Sequence, residues 1–354
     1  MKSSSTKRPT QSDVVLAAGV SRATVSYVLN DQQNRIPISL ETRERVLEVM
    51  KTLGYEPDSR AQSLRSGDSK TIGLLIPDIH NPHYWQMIDG IEEETHKAGY
   101  DLIVAHSSVD KAREEYLIKA LSRRTIGGLI LVTAQHLLSD YIIERLRASG
   151  RPVIGVNAPG FDHHATDYRQ GTKEALKYLL KLGHERFVFI NGVADLKIGL
   201  DRLEVYVQVL KQKGFPEAHR HVETCGFEIE DGYQAALKVL SKKPRPTALV
   251  VINDLLAIGA IRAANDLGLQ IPKDVSIASF DDLPISSYVT PRLTTVRRDN
   301  RAVGIAVTKL LLERLKNPKL PPQRLELPTE FIIRESTGEA PKNERKEERG
   351  KRKG

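Results

Sequence analysis

The sequence predicts an α/β protein with a small all-helical unit at its N-terminus. Residues 1 to 56 carry helix start and stop signals and no strand pattern, whereas from Thr71 onward short β-rich apolar runs alternate with amphipathic stretches. That second rhythm belongs to parallel sheets covered on both faces. With about nine strand slots, two doubly wound subdomains are expected rather than one.

The helical unit reads as three helices. Thr10 with Asp13 three residues on forms a capping box for a helix through Ala18, and Gly19 can take the left-handed conformation that ends it. Ser21 caps a second helix with Val25, Val28 and Leu29 on one face. Ser39 caps a third in which Val46, Met50 and Leu53 share a face, and Gly54 closes it. A helix, a glycine turn and a capped second helix make a helix-turn-helix, whose second helix enters the major groove. Its polar positions Arg22, Ala23, Thr24 and Tyr27 then meet base edges and phosphates, Arg22 toward guanine and Ala23 toward a thymine methyl. A helical hairpin with no such role is the competing reading. Pro57 to Arg65 is too short for an independent helix, and Ser66 to Lys70 is a flexible link.

In the α/β region, strands are expected at Thr71 to Ile76, Leu102 to Ala105, Gly128 to Val132, Val153 to Val156, Phe187 to Ile190, Ala248 to Ile252, Val275 to Phe280 and Leu293 to Val296. Helices are expected at Met87 to Ala98, Glu114 to Arg123, Gly171 to Leu182, Arg202 to Lys213, Gly232 to Leu240 and Leu255 to Leu267. Gly99, Gly183, Gly214 and Gly268 suit C-terminal caps. Asp162-His163-His164 lacks helical ligand spacing and reads as a surface loop, and Cys225 ends an apolar-alternating strand as a buried thiol. Pro341 to Gly354 has no apolar residue after the proline and reads as a disordered tail.

The formal net charge is +8, and its location is more informative than its size. Residues 1 to 70 carry +3 and residues 340 to 354 carry +4, leaving +1 for everything between. Basic ends on a near-neutral body suggest a polyanionic partner for the ends alone. The single cysteine excludes an internal disulfide framework and a Cys-rich zinc site, and suits a reducing compartment. No apolar run approaches a membrane span, and Val14 to Val20 makes only a faint imitation of a signal peptide, so a cytoplasmic location is expected. There is no Gly-x-Ser-x-Gly elbow, P-loop or Gly-x-Gly-x-x-Gly. Asp281 and Asp282 are adjacent at a strand end and point apart, which does not suit glycoside hydrolysis. No catalytic residue, cofactor or metal site is expected.

Gly19-Val20-Ser21 through Val28-Leu29-Asn30, Glu41 to Val46 and Leu53-Gly54-Tyr55-Glu56-Pro57 strongly resemble the lactose-repressor (LacI/GalR) family of bacterial transcription regulators. The resemblance runs from about Thr10 to Thr337. It takes in Ala61, Ser63, Leu64 and Arg65; Pro77-Asp78-Ile79 with Asn81-Pro82; Gly127 to Ile130; Leu182-Gly183-His184; Asn253-Asp254; Ser279 to Asp282; Leu293 to Val296; and Arg334 to Thr337. It implies a DNA-binding headpiece over residues 1–56 and a hinge helix and linker over 57–70. A core similar to periplasmic sugar-binding proteins covers 71–338, and a basic tail covers 339–354. The core divides into an N-subdomain of about 71–167 with 297–326 and a C-subdomain of about 168–296 with 327–338.

What the resemblance implies about function is specific. The DNA-facing set gains Ser21 and Asn30 at the two ends of the recognition helix. Leu64 matches the hinge leucine that members wedge into the minor groove, with the hinge helix forming as DNA is engaged, and Arg60, Arg65 and Lys70 become phosphate contacts. Tyr27 stands where many members carry Arg, so their base preference does not transfer there. The implied effector site comprises His83, Tyr84, Asn157, Arg202, Phe227, Asn253 and Asp281, with a cleft-edge ion pair or helix cap as the competing role for Arg202, Asn253 and Asp281. Asn157-Ala158 replaces the Asp-Arg of other members, and Leu196 and Ile198 stand in stretches polar in purine-type members, which favours a sugar over a purine. The expected protein is a homodimeric repressor of a near-palindromic DNA operator, controlled by a small-molecule effector, with a sugar favoured, and with no membrane partner. A solute-binding protein and a sugar-processing enzyme are the alternatives.

Overall fold

Thr10 and Asp13 cap each other reciprocally, with Thr10 N–H donating to Asp13 Oδ2 across 2.6 Å, and from there the headpiece forms as three helices. They are α1 (Gln11–Ala18), α2 (Arg22–Leu29) and α3 (Leu40–Leu53). The computed structural model describes residues 9–29, 38–56, 69–123, 126–133, 138–158, 160–192, 197–218 and 221–342. Asn30, Arg60, Leu64, Arg65, Leu196, the side chain of Ile198, the expected hinge helix and residues 343–354 lie outside the described residues.

Gly19 ends α1 at φ +63 with open space where a Cβ would stand, so its role there is conformational. Ser21 and Ser39 accept from the backbone N–H groups of Thr24 and Thr42, at 3.1 and 3.2 Å. Val14, Ala18, Val25, Val28 and Val46 close a small core. Met50 packs against it, but Leu53, the third expected position on that face of α3, is 37% exposed because the helix ends one residue later at Gly54.

The headpiece and the rest of the chain are two separate units, divided between Ser69 and Lys70. In the second unit, one sheet holds β1 (Thr71–Ile76), β2 (Asp101–His106), β3 (Gly128–Val132), β4 (Val153–Val156), β5 (Asp162–Thr166) and β11 (Arg324–Leu327), in the order β11-β5-β4-β3-β1-β2. The other holds β6 (Phe187–Asn191), β7 (Val222–Thr224), β8 (Ala248–Val251), β9 (Ser276–Asp281), β10 (Thr294–Arg298) and β12 (Thr329–Ile332), ordered β12-β10-β9-β8-β6-β7. All described pairings are parallel except β10 with β12. In both sheets the order in which strands are added reverses beside the first strand, at β1/β3 and β6/β8, where doubly wound sheets open a crevice at the strands' carboxyl ends.

Helices α4 (Trp85–Lys97), α5 (Lys111–Arg123), α6 (Asp140–Ala148) and α11 (Asn300–Lys316) cover the first lobe. Helices α7 (Arg169–Lys181), α8 (Lys197–Gln212), α9 (Ile229–Leu240) and α10 (Asp254–Asp266) cover the second. Glycine sets the closest crossing in the first lobe. A Cβ on Gly304 of α11 would stand 2.3 Å from Met87 O of α4, and one on Gly90 would stand 2.3 Å from Arg301 O.

The chain changes lobes between β5 and α7, between β10 and α11, and between β11 and β12. The second change falls later than residue 297, because β10 stays paired through Arg298 with Thr329. The third follows Leu327, which still pairs with Thr166. Two further expectations are corrected. Asp162-His163-His164 is strand β5, not a surface loop: pairing with β4 and β11 buries Asp162 and His164, and Arg314 Nη2 meets Asp162 Oδ2 at 2.6 Å. Order also reaches into the expected tail, where Ala340 N–H donates to Leu182 O across 2.8 Å.

Candidate functional site

In the headpiece, α2 turns Val25 and Val28 inward. Helical geometry therefore places Ala23 and Tyr27 on the opposite side. Arg22 and Ala23 are exposed, and Thr24 and Tyr27 are half-buried. Ser21 Oγ lies 2.9 Å from Thr24 Oγ1 as well as capping the helix, so both hydroxyls shape the start of α2. Arg22 Nε donates to Gln11 Oε1 across 3.4 Å, which steadies a guanidinium that still has donors to offer.

In the second unit, polar groups from both lobes meet at the carboxyl ends of the strands. His83 lies on the 3-10 turn Pro82–Tyr84 after β1, opened by Asn81, whose Oδ1 accepts from His83 N–H. Asp281 ends β9 in the other lobe, and its Oδ1 is 3.2 Å from His83 Nδ1. Arg298, at the end of β10, donates from Nη2 to His83 Nε2 at 2.9 Å, from Nη1 to Thr166 Oγ1 at 2.7 Å and from Nε to Asn300 Oδ1 at 2.5 Å. Burial alone would raise the Asp281 carboxyl, but His83, Arg202 and Arg298 outweigh it and hold the group below the usual carboxylate range.

Arg202 does not open a helix, as the sequence suggested. It lies inside α8, which begins at Lys197. Its guanidinium is 3.8 Å from the Tyr168 ring centroid and 4.4 Å from that of Phe280, and Nη1 donates to Ile252 O at 2.5 Å. Among the described residues, Nε and Nη2 are buried with no hydrogen-bond partner. Burial pushes this guanidinium down from its ordinary value. A buried cation with two open donors calls for an oxygen-rich ligand group.

The other expected effector residues divide. Tyr84 meets His83 edge to face at 5.1 Å, and burial raises its hydroxyl. Asn253 serves as a helix cap: Oδ1 accepts from Leu256 N–H at 2.8 Å at the start of α10. Asn157, at φ +56, accepts from Thr166 N–H with Oδ1 at 3.0 Å and thereby braces the β4 to β5 turn. Phe227 is half-buried in the bend before α9 and is not part of the hydrogen-bonded network joining His83, Asp281 and Arg298. Cys225 is half-buried, and burial raises its thiol to about 11.

Sequence reasoning missed several members. Arg298 had a usable signal, since strand alternation puts it on the same side as buried Val296. Tyr168, Thr166, Phe280 and Asn300 reach the site through pairings and crossings distant in sequence. Asp254 was visible only as part of a motif. Its Oδ1 accepts from Thr295 Oγ1 at 2.8 Å and from Ser279 Oγ, and its Oδ2 accepts from Ser286 Oγ at 2.6 Å and Leu283 N–H at 2.8 Å. It thereby ties the first turn of α10 to β9, β10 and the loop beyond Asp281. Among the described residues, no group of three or more His, Cys, Asp or Glu side chains is arranged to hold a metal. None of their helices is long and apolar enough to cross a membrane.

A helix-turn-helix headpiece followed by a two-lobed α/β unit with a polar site between its sheets defines a class of ligand-binding regulators. Residues 10–58 match the lacI family of bacterial regulatory proteins, and residues 176–337 match the periplasmic binding protein-like domain. The chain is 31% identical to the ribose operon repressor of Escherichia coli strain K12 over 90% of its own length and 96% of that protein's. It is 29% identical to the HTH-type transcriptional repressor PurR of Photobacterium profundum, over 92% and 97%. A lac repressor dimer bound to operator and the anti-inducer ONPF superposes with a TM-score of 0.80 at 25% identity, covering 94% of this chain and 100% of that one. A LacI family regulator from Enterococcus faecalis V583 with bound ribose superposes with a TM-score of 0.65 at 33% identity, covering 76% and 99%. This chain belongs to the lacI family of bacterial regulatory proteins. Its relatives are transcriptional repressors, not enzymes.

Proposed function

We propose that the protein is a cytoplasmic, homodimeric repressor that binds a near-palindromic DNA operator and responds to a sugar bound between its lobes. The headpiece of residues 1–56 reads the half-site through Arg22, Ala23, Thr24 and Tyr27, with Asn30, Arg60, Leu64 and Arg65 completing the contacts. Residues 57–70 form the hinge, 71–338 the effector-binding and dimerisation core and 339–354 the basic tail. The observation that carries the effector reading is Arg202, buried against two aromatic rings with Nε and Nη2 unpaired. Aromatic faces suit a sugar's C–H surface, and the open guanidinium edge suits its oxygens. The relative solved with ribose supports a sugar over other small molecules.

Operator control requires the effector to bind the DNA-competent and incompetent states unequally. In vitro selection of duplexes, followed by a sugar panel against the selected site, tests both halves. A near-palindromic consensus, steep salt dependence and release or tightening by a sugar are expected. Failure to select any duplex would remove the repressor assignment, and a selected duplex indifferent to every sugar would remove the sugar.

A further inference from the structure

The His83 ring is held from two directions. A guanidinium can only donate, so Arg298 Nη2 at 2.9 Å makes His83 Nε2 an acceptor. The ring proton therefore sits on Nδ1, whose neighbours are Asp281 Oδ1 at 3.2 Å in the other lobe and Asn300 Nδ2 at 3.3 Å. Asn300 Nδ2 fixes the turn below the ring by donating to His83 O at 3.0 Å.

Asp281 is held as firmly. Its φ of +111 is a conformation that L side chains rarely adopt, and such strain persists where surrounding contacts impose it. Those contacts come from Asp254, which accepts from Ser279 Oγ before Asp281 and Leu283 N–H after it. The two partners join across the cleft, with Arg298 reaching His83 from the strand next to the one that carries Asp281, and both are nearly sealed from solvent at 10% and 8% side-chain exposure.

We propose that His83 is an internal occupant of the Asp281 carboxylate, a latch between the lobes that an effector hydroxyl must displace, and so a residue that sets effector specificity. This rests on the cleft being the effector site. A ligand that offers Asp281 one hydrogen bond exchanges it for the one already present and gains little there. A ligand that also brings an oxygen to the open Nε and Nη2 of Arg202 gains a charge-assisted bond not otherwise made. The pair therefore selects a polyol whose neighbouring oxygens donate to Asp281 and accept from Arg202, a vicinal diol.

The test uses the full chain and no sugar, so its outcome is separate from success or failure of the sugar panel. Amide hydrogen exchange at the lobe crossings, residues 166–169 and 298–300, is compared in wild type, His83→Phe, Asp281→Asn and the double variant, with the buried strands β3 and β8, one in each lobe, as the folding control. Either single substitution should speed exchange at the crossings about tenfold or more, and the double variant should match His83→Phe, which already removes the Asp281 contact together with the Arg298 bond. Additive effects, or unchanged exchange in His83→Phe, would overturn the latch. His83→Gln, which keeps a side-chain donor, should fall between wild type and His83→Phe. Millimolar imidazole should restore slow exchange in His83→Ala but not in His83→Ala/Asp281→Ala; no restoration in the single variant would overturn displacement by an external donor.

Discussion

The guanidinium carbon of Arg202 lies 3.8 Å above the ring centroid of Tyr168, bringing a helix residue of one lobe against the residue at which the chain has just crossed from the other. With Phe280 on it at 4.4 Å, the cation is supported by packing while two of its nitrogens stay open. A group so placed serves binding more than folding, since an unpaired buried charge costs stability unless something satisfies it.

Arg202→Lys should therefore lose sugar affinity by about tenfold to a hundredfold, the worth of a hydrogen bond to a charged group. Operator binding without sugar should stay near wild type. Titration followed by fluorescence of Trp85, the chain's single tryptophan, reads the first effect, and DNA binding reads the second. Equal sugar affinity in the two proteins would remove Arg202 from the site.

Tyr27 faces away from Val25 and Val28 on α2. Tyr27→Arg should change the selected half-site at one base pair toward guanine and leave headpiece stability within about 0.5 kcal/mol. An unchanged consensus would show that α2 meets DNA in another register.

Gly19 sits at φ +63 with no neighbour near its missing Cβ, so substitution there acts through the backbone alone. Gly19→Val should destabilise the headpiece by about 1–2 kcal/mol, and Gly19→Asn by less, because Asn tolerates the left-handed region. Thermal melting of the headpiece transition measures both. Equal losses would point to a clash instead of strain.

Two buried groups pull the pH dependence of the α/β unit in opposite directions. Burial and the Asp281 charge raise Asp254 to about 7 against its hydrogen bonds, while an unfolded Asp titrates near ~4. Stability from that shift is fully present below pH ~4 and is lost as pH rises through about 7. Burial, with Arg298 and His163, lowers His164 to about 4, while an unfolded His titrates near ~6.5. Its contribution is present above pH ~6.5 and lost as pH falls toward about 4. Burial lowers His184 as well, which adds to the same side. Asp254→Asn should leave a melting temperature that climbs more steeply with pH across this window, and His164→Leu one that climbs less or falls. Parallel profiles for the two variants would refute both assignments.

Local chemistry made much of the architecture legible. Thr10, Gly19, Ser21, Ser39 and Gly54 act at the helix ends where their residue types suit the backbone. The apolar runs from Thr71 to Ile76 and from Gly128 to Val132 form buried strands of the same span. Strands β5, β11 and β12 were not legible, since their residues are mixed in polarity and pair across long separations: Arg324 with His163, and Thr295 with Ile332.

The sequence by itself determined the kind of protein, a three-helix headpiece and a parallel α/β body, and its resemblance to a known family pointed to His83, Arg202 and Asp281 as cleft residues. Those features rest on capping, periodicity and motif order, which act over a few residues at a time. Only the tertiary structure decided how the set works together. Asn253 became a helix cap, His83 was matched with Asp281, and Arg298 was brought to both Thr166 and His83. The physical reason is that the chain crosses between lobes repeatedly, so the partners of a buried charge are chosen by sheet register and crossing geometry, not by neighbours in sequence.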